Sequence, residues 1–88
     1  MELDPGEMTA VINRIKRAQG QLNGVLRMLE EGRHCEDVVT QLAAVSKALD
    51  RAGFAIIASG LQQCIAAGEA GIEGMDVKKM ERLFLSLA

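Results

Sequence analysis

The sequence contains no tryptophan and no tyrosine, and its aromatic content stops at Phe54 and Phe84. A core made from it must therefore be built from Leu, Ile, Val, Met and Ala. It also lacks any apolar run near the roughly 20 residues of a membrane span. The opening segment MELDPGE is acidic, without the basic-then-apolar order of a signal peptide. A cytoplasmic location is the expectation. Nothing in the chain reads as an enzyme. No nucleophile–base pair, phosphate-cradling loop or acidic dyad stands in a recognisable setting.

Cysteine and histidine are scarce too. There are two cysteines, Cys35 and Cys64, and one histidine, His34. In a reducing compartment two cysteines read as buried, metal-binding or redox-active groups rather than a permanent staple. The most local absence is of acid. Between Met8 and Leu29 there is no Asp or Glu, while Arg14, Lys16, Arg17 and Arg27 all fall there. The net charge of −2 conceals this basic segment.

What is present is helical periodicity. The 88 residues suffice for one domain, 1–88. Asp4 as N-cap, Pro5 at the first position and Glu7 as capping-box partner predict the start of a first helix. Gly32 predicts its end. Ile15, Ala18, Leu22, Val25 and Leu29 alternate spacings of three and four, the seam of a packed helix. A second helix is predicted from about Cys35 to Ala67, with the seam Cys35, Val38, Leu42, Val45, Leu49, Ala52 and Ile56. In the GEAGIEG segment Gly68, Gly71 and Gly74 act as breakers. Asp76 then caps a short third helix whose Val77, Met80, Leu83 and Leu87 share a face. The fold class is all-α: two long helices and a short C-terminal one. Such a small chain leaves a wide apolar face on its second helix. Pairing two hairpins into an antiparallel four-helix bundle buries that face, so the chain is expected to form a dimer or a higher, even oligomer.

Cys35 and Cys64 lie 29 residues apart. A continuous helix separates them by roughly 43 Å, far beyond the Cα separation of about 7 Å that a disulfide tolerates. Their facing matches, however, to within roughly 20° around the axis. If the second helix packs antiparallel on its counterpart, Cys35 approaches Cys64 of the partner subunit, giving a symmetric dimer two dithiol sites. The alternative is that both are small buried hydrophobes. Soft thiolates suit copper(I), zinc or iron–sulfur clusters. His34, beside Cys35, should face away from the seam. Gly60, one turn before Cys64, leaves the third-ligand position without a side chain. Two thiols alone make a poor closed metal site but a workable dithiol for sulfur chemistry.

The stretch NRIKRAQGQLNGVLRMLEEGRHCEDVVTQLAAVSKALD, residues 13 to 50, strongly resembles the copper-sensing operon repressor (CsoR/RcnR) family. The likeness runs from Met8 to Ile65 and is most specific over Arg14–Gln21 and Cys35–Gln41. It implies an all-helical dimer of dimers that binds operator DNA without a helix-turn-helix and loses DNA affinity on binding its ligand. Copper sensors of that family carry a first cysteine and then His-x-x-x-Cys; here Cys35 and Cys64 match, and Gly60 stands in the histidine's place. The added histidines of nickel/cobalt sensors are absent, and Glu2 replaces the proline of formaldehyde sensors. The pattern is most similar to the persulfide-sensing, CstR-like subgroup.

That resemblance implies a repressor of sulfide and persulfide detoxification genes that needs no cofactor. Its partners would be operator double-stranded DNA, persulfide or polysulfide donors and further copies of itself. The Cys35 thiol attacks a persulfide donor and is modified by it, and Cys64 of the partner subunit closes a disulfide or longer sulfur bridge that releases DNA. The alternative is a copper(I)-sensing repressor using Cys35 and Cys64 as ligands. For the DNA surface, Arg14, Arg17 and Gln21 fall within about 60° of one another around the first helix. Lys47 and Arg51 form an i, i+4 pair on the second. With Lys16 these are the candidate DNA-binding residues; without the resemblance they read as a solvated basic face.

Overall fold

A computed structural model describes residues 2–74 and 76–87, and of Ile72 only the backbone. Four α-helices follow a 3₁₀ turn at Pro5–Glu7: α1 (Thr9–Glu30), α2 (Cys35–Ala66), α3 (Glu69–Glu73) and α4 (Val77–Leu87). No strand occurs among the described residues. The molecule measures 54 × 26 × 13 Å, so α1 and α2 lie side by side in a single layer.

Two local departures from expectation appear. Asp4 caps only the 3₁₀ turn, accepting from the Gly6 amide at 3.0 Å. Glu7 uses its amide to bond the Asp4 carbonyl rather than closing a capping box. The α-helix proper begins after Met8, a residue with φ −107° and ψ 7° and no side-chain cap bond. Gly6, a poor helix former, lies within this break. The second departure is α3, which forms inside the glycine-rich segment read as a breaker. The predicted Asp76 cap is present, its carboxylate accepting from the Lys79 amide at 3.0 Å.

The α1–α2 turn closes as the sequence anticipates. Gly32 adopts φ +69°, a conformation that strains residues bearing a Cβ. Its amide bonds the Leu29 carbonyl at 3.2 Å, and the Arg33 amide reaches Met28 at 3.0 Å. This paired arrangement satisfies the carbonyls left open at a helix end.

Each predicted seam divides in two. Ala18 and Val25 on α1, joined by Val11 from outside the predicted seam, and Val38, Val45 and Ala52 on α2 are buried within the protomer. These are one-per-heptad positions, and all are valine or alanine, so the two backbones approach closely. The intervening, longer residues stay open: Ile15, Leu22 and Leu29 on α1, Leu42 and Leu49 on α2. Leu22 is 47% exposed and Leu49 45%. The small α4 folds back on α2, placing Phe84 edge-on to Phe54 with ring centroids 5.1 Å apart.

Candidate nucleic-acid interface and sensor thiols

Arg14, Arg17 and Gln21 recur at three- and four-residue intervals on α1, so one ridge carries all three. In the folded hairpin this ridge meets Arg51 of α2. Together with Ala18 and Ala48 these four side chains line a cleft of about 340 Å³. The alanines let the helices come close enough for the cations of both to border one space. Among the described residues the one ion pair joins Arg33 to Glu31. No carboxylate among the described residues forms an ion pair with the cleft's arginines.

Two other basic candidates lie elsewhere. Lys16, two positions from Arg14 and so about 200° around the helix, borders an apolar groove of about 500 Å³ with Leu3, Pro5, Met8, Val11, Ile12, Ile15 and Ile56. Lys47 is exposed on α2 and does not line the arginine cleft. Ala18 and Ala48 were absent from the candidate set; small residues at the crossing of two basic ridges are the signal that points to them.

The thiols stand at opposite ends of α2 and differ in environment. Cys35 opens the helix and is exposed, while Cys64 in its last turn is 2% exposed. Both thiols are free. Gly60, one turn before Cys64, is buried as well. The chain after α2 folds over this end. A Cβ at Gly71 would collide with the Cys64 carbonyl oxygen and come within 2.7 Å of the Ala67 Cβ. Only glycine lets α3 lie this close. Within the described residues of one protomer no three His, Cys, Asp or Glu side chains converge. A metal centre built on these thiols would draw on two protomers.

A third feature escaped sequence reasoning. Gln63, beside Cys64, accepts a hydrogen bond from the Asp4 amide at 2.8 Å and donates to the Met8 sulfur at 3.4 Å. It also donates to Ser59 Oγ at 3.1 Å, and Ser59 donates to the same sulfur at 3.2 Å. Reading Asp4 and Glu7 as a capping box left Gln63 with no assigned partner.

The helical hairpin thus carries an arginine cleft along its length and a thiol at each end of α2. The chain belongs to the metal-sensitive transcriptional repressor family, whose model matches residues 7–86. It is 40% identical over 70 residues to the copper-sensing transcriptional repressor CsoR of Mycobacterium ulcerans, a match covering 73% of this chain and 60% of the relative. With the copper-sensing transcriptional repressor RicR of Mycobacterium tuberculosis it shares 38% identity over 69 residues, 77% of this chain and 72% of that protein. The CsoR of Bacillus subtilis is 32% identical over 60 residues, covering 68% of this chain and 59% of that protein. The chain thus spans about three fifths of the length of the mycobacterial CsoR proteins it matches. No solved structure matches it.

Proposed function

We propose that the chain is a cytoplasmic, DNA-binding transcriptional repressor that releases its operator when the dithiol formed by Cys35 and the partner subunit's Cys64 is occupied. The observation that carries this reading is the cleft uniting Arg14, Arg17, Gln21 and Arg51, whose arginines form no ion pair among the described residues. Arginines there suit phosphates, and Gln21 suits a base edge or a sugar. The open stripe of Ile15, Leu22, Leu29, Leu42 and Leu49 supports an antiparallel four-helix-bundle dimer. Two such dimers make the tetramer. Antiparallel pairing of α2 brings the exposed Cys35 toward the partner subunit's Cys64.

Copper(I) is the ligand that the comparisons favour, because the relatives bear that name. The donor set agrees in softness, since thiolates select copper(I) over hard cations. Cys35 and the partner subunit's Cys64 would hold the ion, and a bridge across the subunits would replace two separate thiols.

Gly60 favours a second reading, because it offers no third ligand one turn from Cys64. A persulfide donor transfers its outer sulfur to the Cys35 thiolate and leaves as a thiolate. The partner subunit's Cys64 thiolate then attacks the inner sulfur of the Cys35 persulfide. Hydrosulfide departs and a disulfide remains. No further oxidant is required, since the transferred sulfur takes up the electron pair.

The test uses reduced protein and an operator fragment selected by that protein from a random-sequence DNA pool. Operator affinity is measured before and after anaerobic copper(I), and before and after a low-molecular-weight persulfide. Release by copper(I) alone, abolished in Cys35→Ser and Cys64→Ser, upholds copper sensing. Release by persulfide with a Cys35–Cys64 cross-link between subunits upholds the sulfur reading. Reduced protein with no salt-sensitive, sequence-selective DNA binding overturns both.

A further inference from the structure

Among the described residues, long-range side-chain hydrogen bonds are confined to one cluster. Outside it, side-chain hydrogen bonds among the described residues span four positions or fewer. The exceptions are three bonds spanning 51 to 59 positions, and all three join Asp4 or Met8 to Ser59 or Gln63. Ser59 and Gln63 precede Gly60 and Cys64 directly, so the two pairs form adjacent ridges on the last turns of α2. On the other side, the Met8 carbonyl accepts the first α-helical bond of α1, from the Ile12 amide at 2.8 Å. Met8 is 6% exposed, so its sulfur is held inside the structure. Arg14 and Arg17 lie roughly one and a half to two and a half turns further along the same helix.

We infer that Gln63 is a positioning residue that transmits the state of Cys64 to the start of α1, and so to the arginine cleft. This rests on the repressor reading above. Among the described residues Gln63 makes no hydrogen bond to a thiol, and it does not line the cleft. Its amide uses its oxygen on the Asp4 amide and its nitrogen on Ser59 and the Met8 sulfur. A bond formed at Cys64 moves the last turn of α2 and carries the neighbouring Gln63 with it. The 3₁₀ turn and Met8 either follow or let go, and in both cases the N-terminal end of α1 changes position. The route is short and contiguous, running from Cys64 to Gln63, Met8 and the first turn of α1. Bonds to a thioether are weak, which suits a link that must rearrange when ligand binds.

The test compares wild type, Gln63→Ala and Met8→Leu. The second variant keeps the volume and removes the sulfur acceptor. Each is titrated with copper(I) anaerobically, and operator affinity is read with and without the ion. Couplings of this kind run to about 5–150-fold. In Q63A the ratio should collapse to under about threefold, with M8L moving the same way and copper(I) still bound by both. A Q63A ratio equal to that of wild type, at equal copper(I) binding, overturns the inference. A wild type that binds copper(I) without losing DNA affinity overturns the copper-sensing reading instead. The Asp4 amide resonance then decides separately. A copper-induced shift in wild type that is absent in Q63A upholds the link, and no shift in wild type overturns it.

Discussion

Arg14 on α1 and Arg51 on α2 border the same cleft, although most of α1, the helix turn and half of α2 separate them along the chain. Neither forms an ion pair among the described residues. If the cleft grips the DNA backbone, each arginine removed takes a phosphate contact with it. Arg14→Ala, Arg17→Ala and Arg51→Ala should each lower the slope of log affinity against log salt by about one. Lys16→Ala, on the apolar groove, should leave the slope unchanged. Fluorescence anisotropy across a salt series measures both.

The division of the seams makes two kinds of substitution diverge. Leu22→Glu or Leu49→Glu alters a side chain that is about half exposed in the protomer. It should dissociate the oligomer, as seen by sedimentation velocity. Ala52→Leu instead places bulk where exposure is 0%. It should force the hairpin apart at a cost of about 1–3 kcal/mol, read from denaturant unfolding.

α3 packs so tightly on the end of α2 that a Cβ at Gly71 would collide with the Cys64 carbonyl oxygen. Gly71→Val should lift α3 away and speed labelling of Cys64 by a thiol reagent, leaving Cys35 unaffected. In the unaltered protein the exposed Cys35 should label much faster than Cys64, which is 2% exposed. Mass spectrometry of the labelled peptides resolves the two rates.

Gly32 carries φ +69° between the long helices. Gly32→Ala should cost about 1 kcal/mol from the left-handed backbone alone. Gly32→Asn should cost less, since asparagine tolerates that region better. Thermal unfolding at fixed protein concentration compares them.

Much of this architecture was legible in the sequence, for reasons that also set the limit. Spacings of three and four revealed both long helices and both seams. Periodicity alone did not say which members close the hairpin, because Ala18 and Leu22 belong to one stripe. Side-chain size decides: Val45 and Ala52 permit close backbones, while Leu42 and Leu49 do not fit there. Spacing suggested a common facing for Cys35 and Cys64, but it could not reveal that one is exposed and the other buried, because burial depends on how the rest of the chain packs. Gly71 read as a breaker, whereas it is a close-packing residue in a short helix. Arg14, Arg17, Gln21 and Arg51 were named from the chain, and the hairpin crossing brings them together. The tie between Asp4 and Gln63 was invisible because a plausible local partner for Asp4 existed.

The protomer is only 13 Å deep, about the diameter of one helix with its side chains. Leu22, Leu29, Leu42 and Leu49 lie open along it. On the proposed pairing, folding and association form a single equilibrium that dilution disfavours. Operator-competent molecules would then fall off more steeply than total protein, so a modest drop in copy number would loosen the promoter before any inducer arrived.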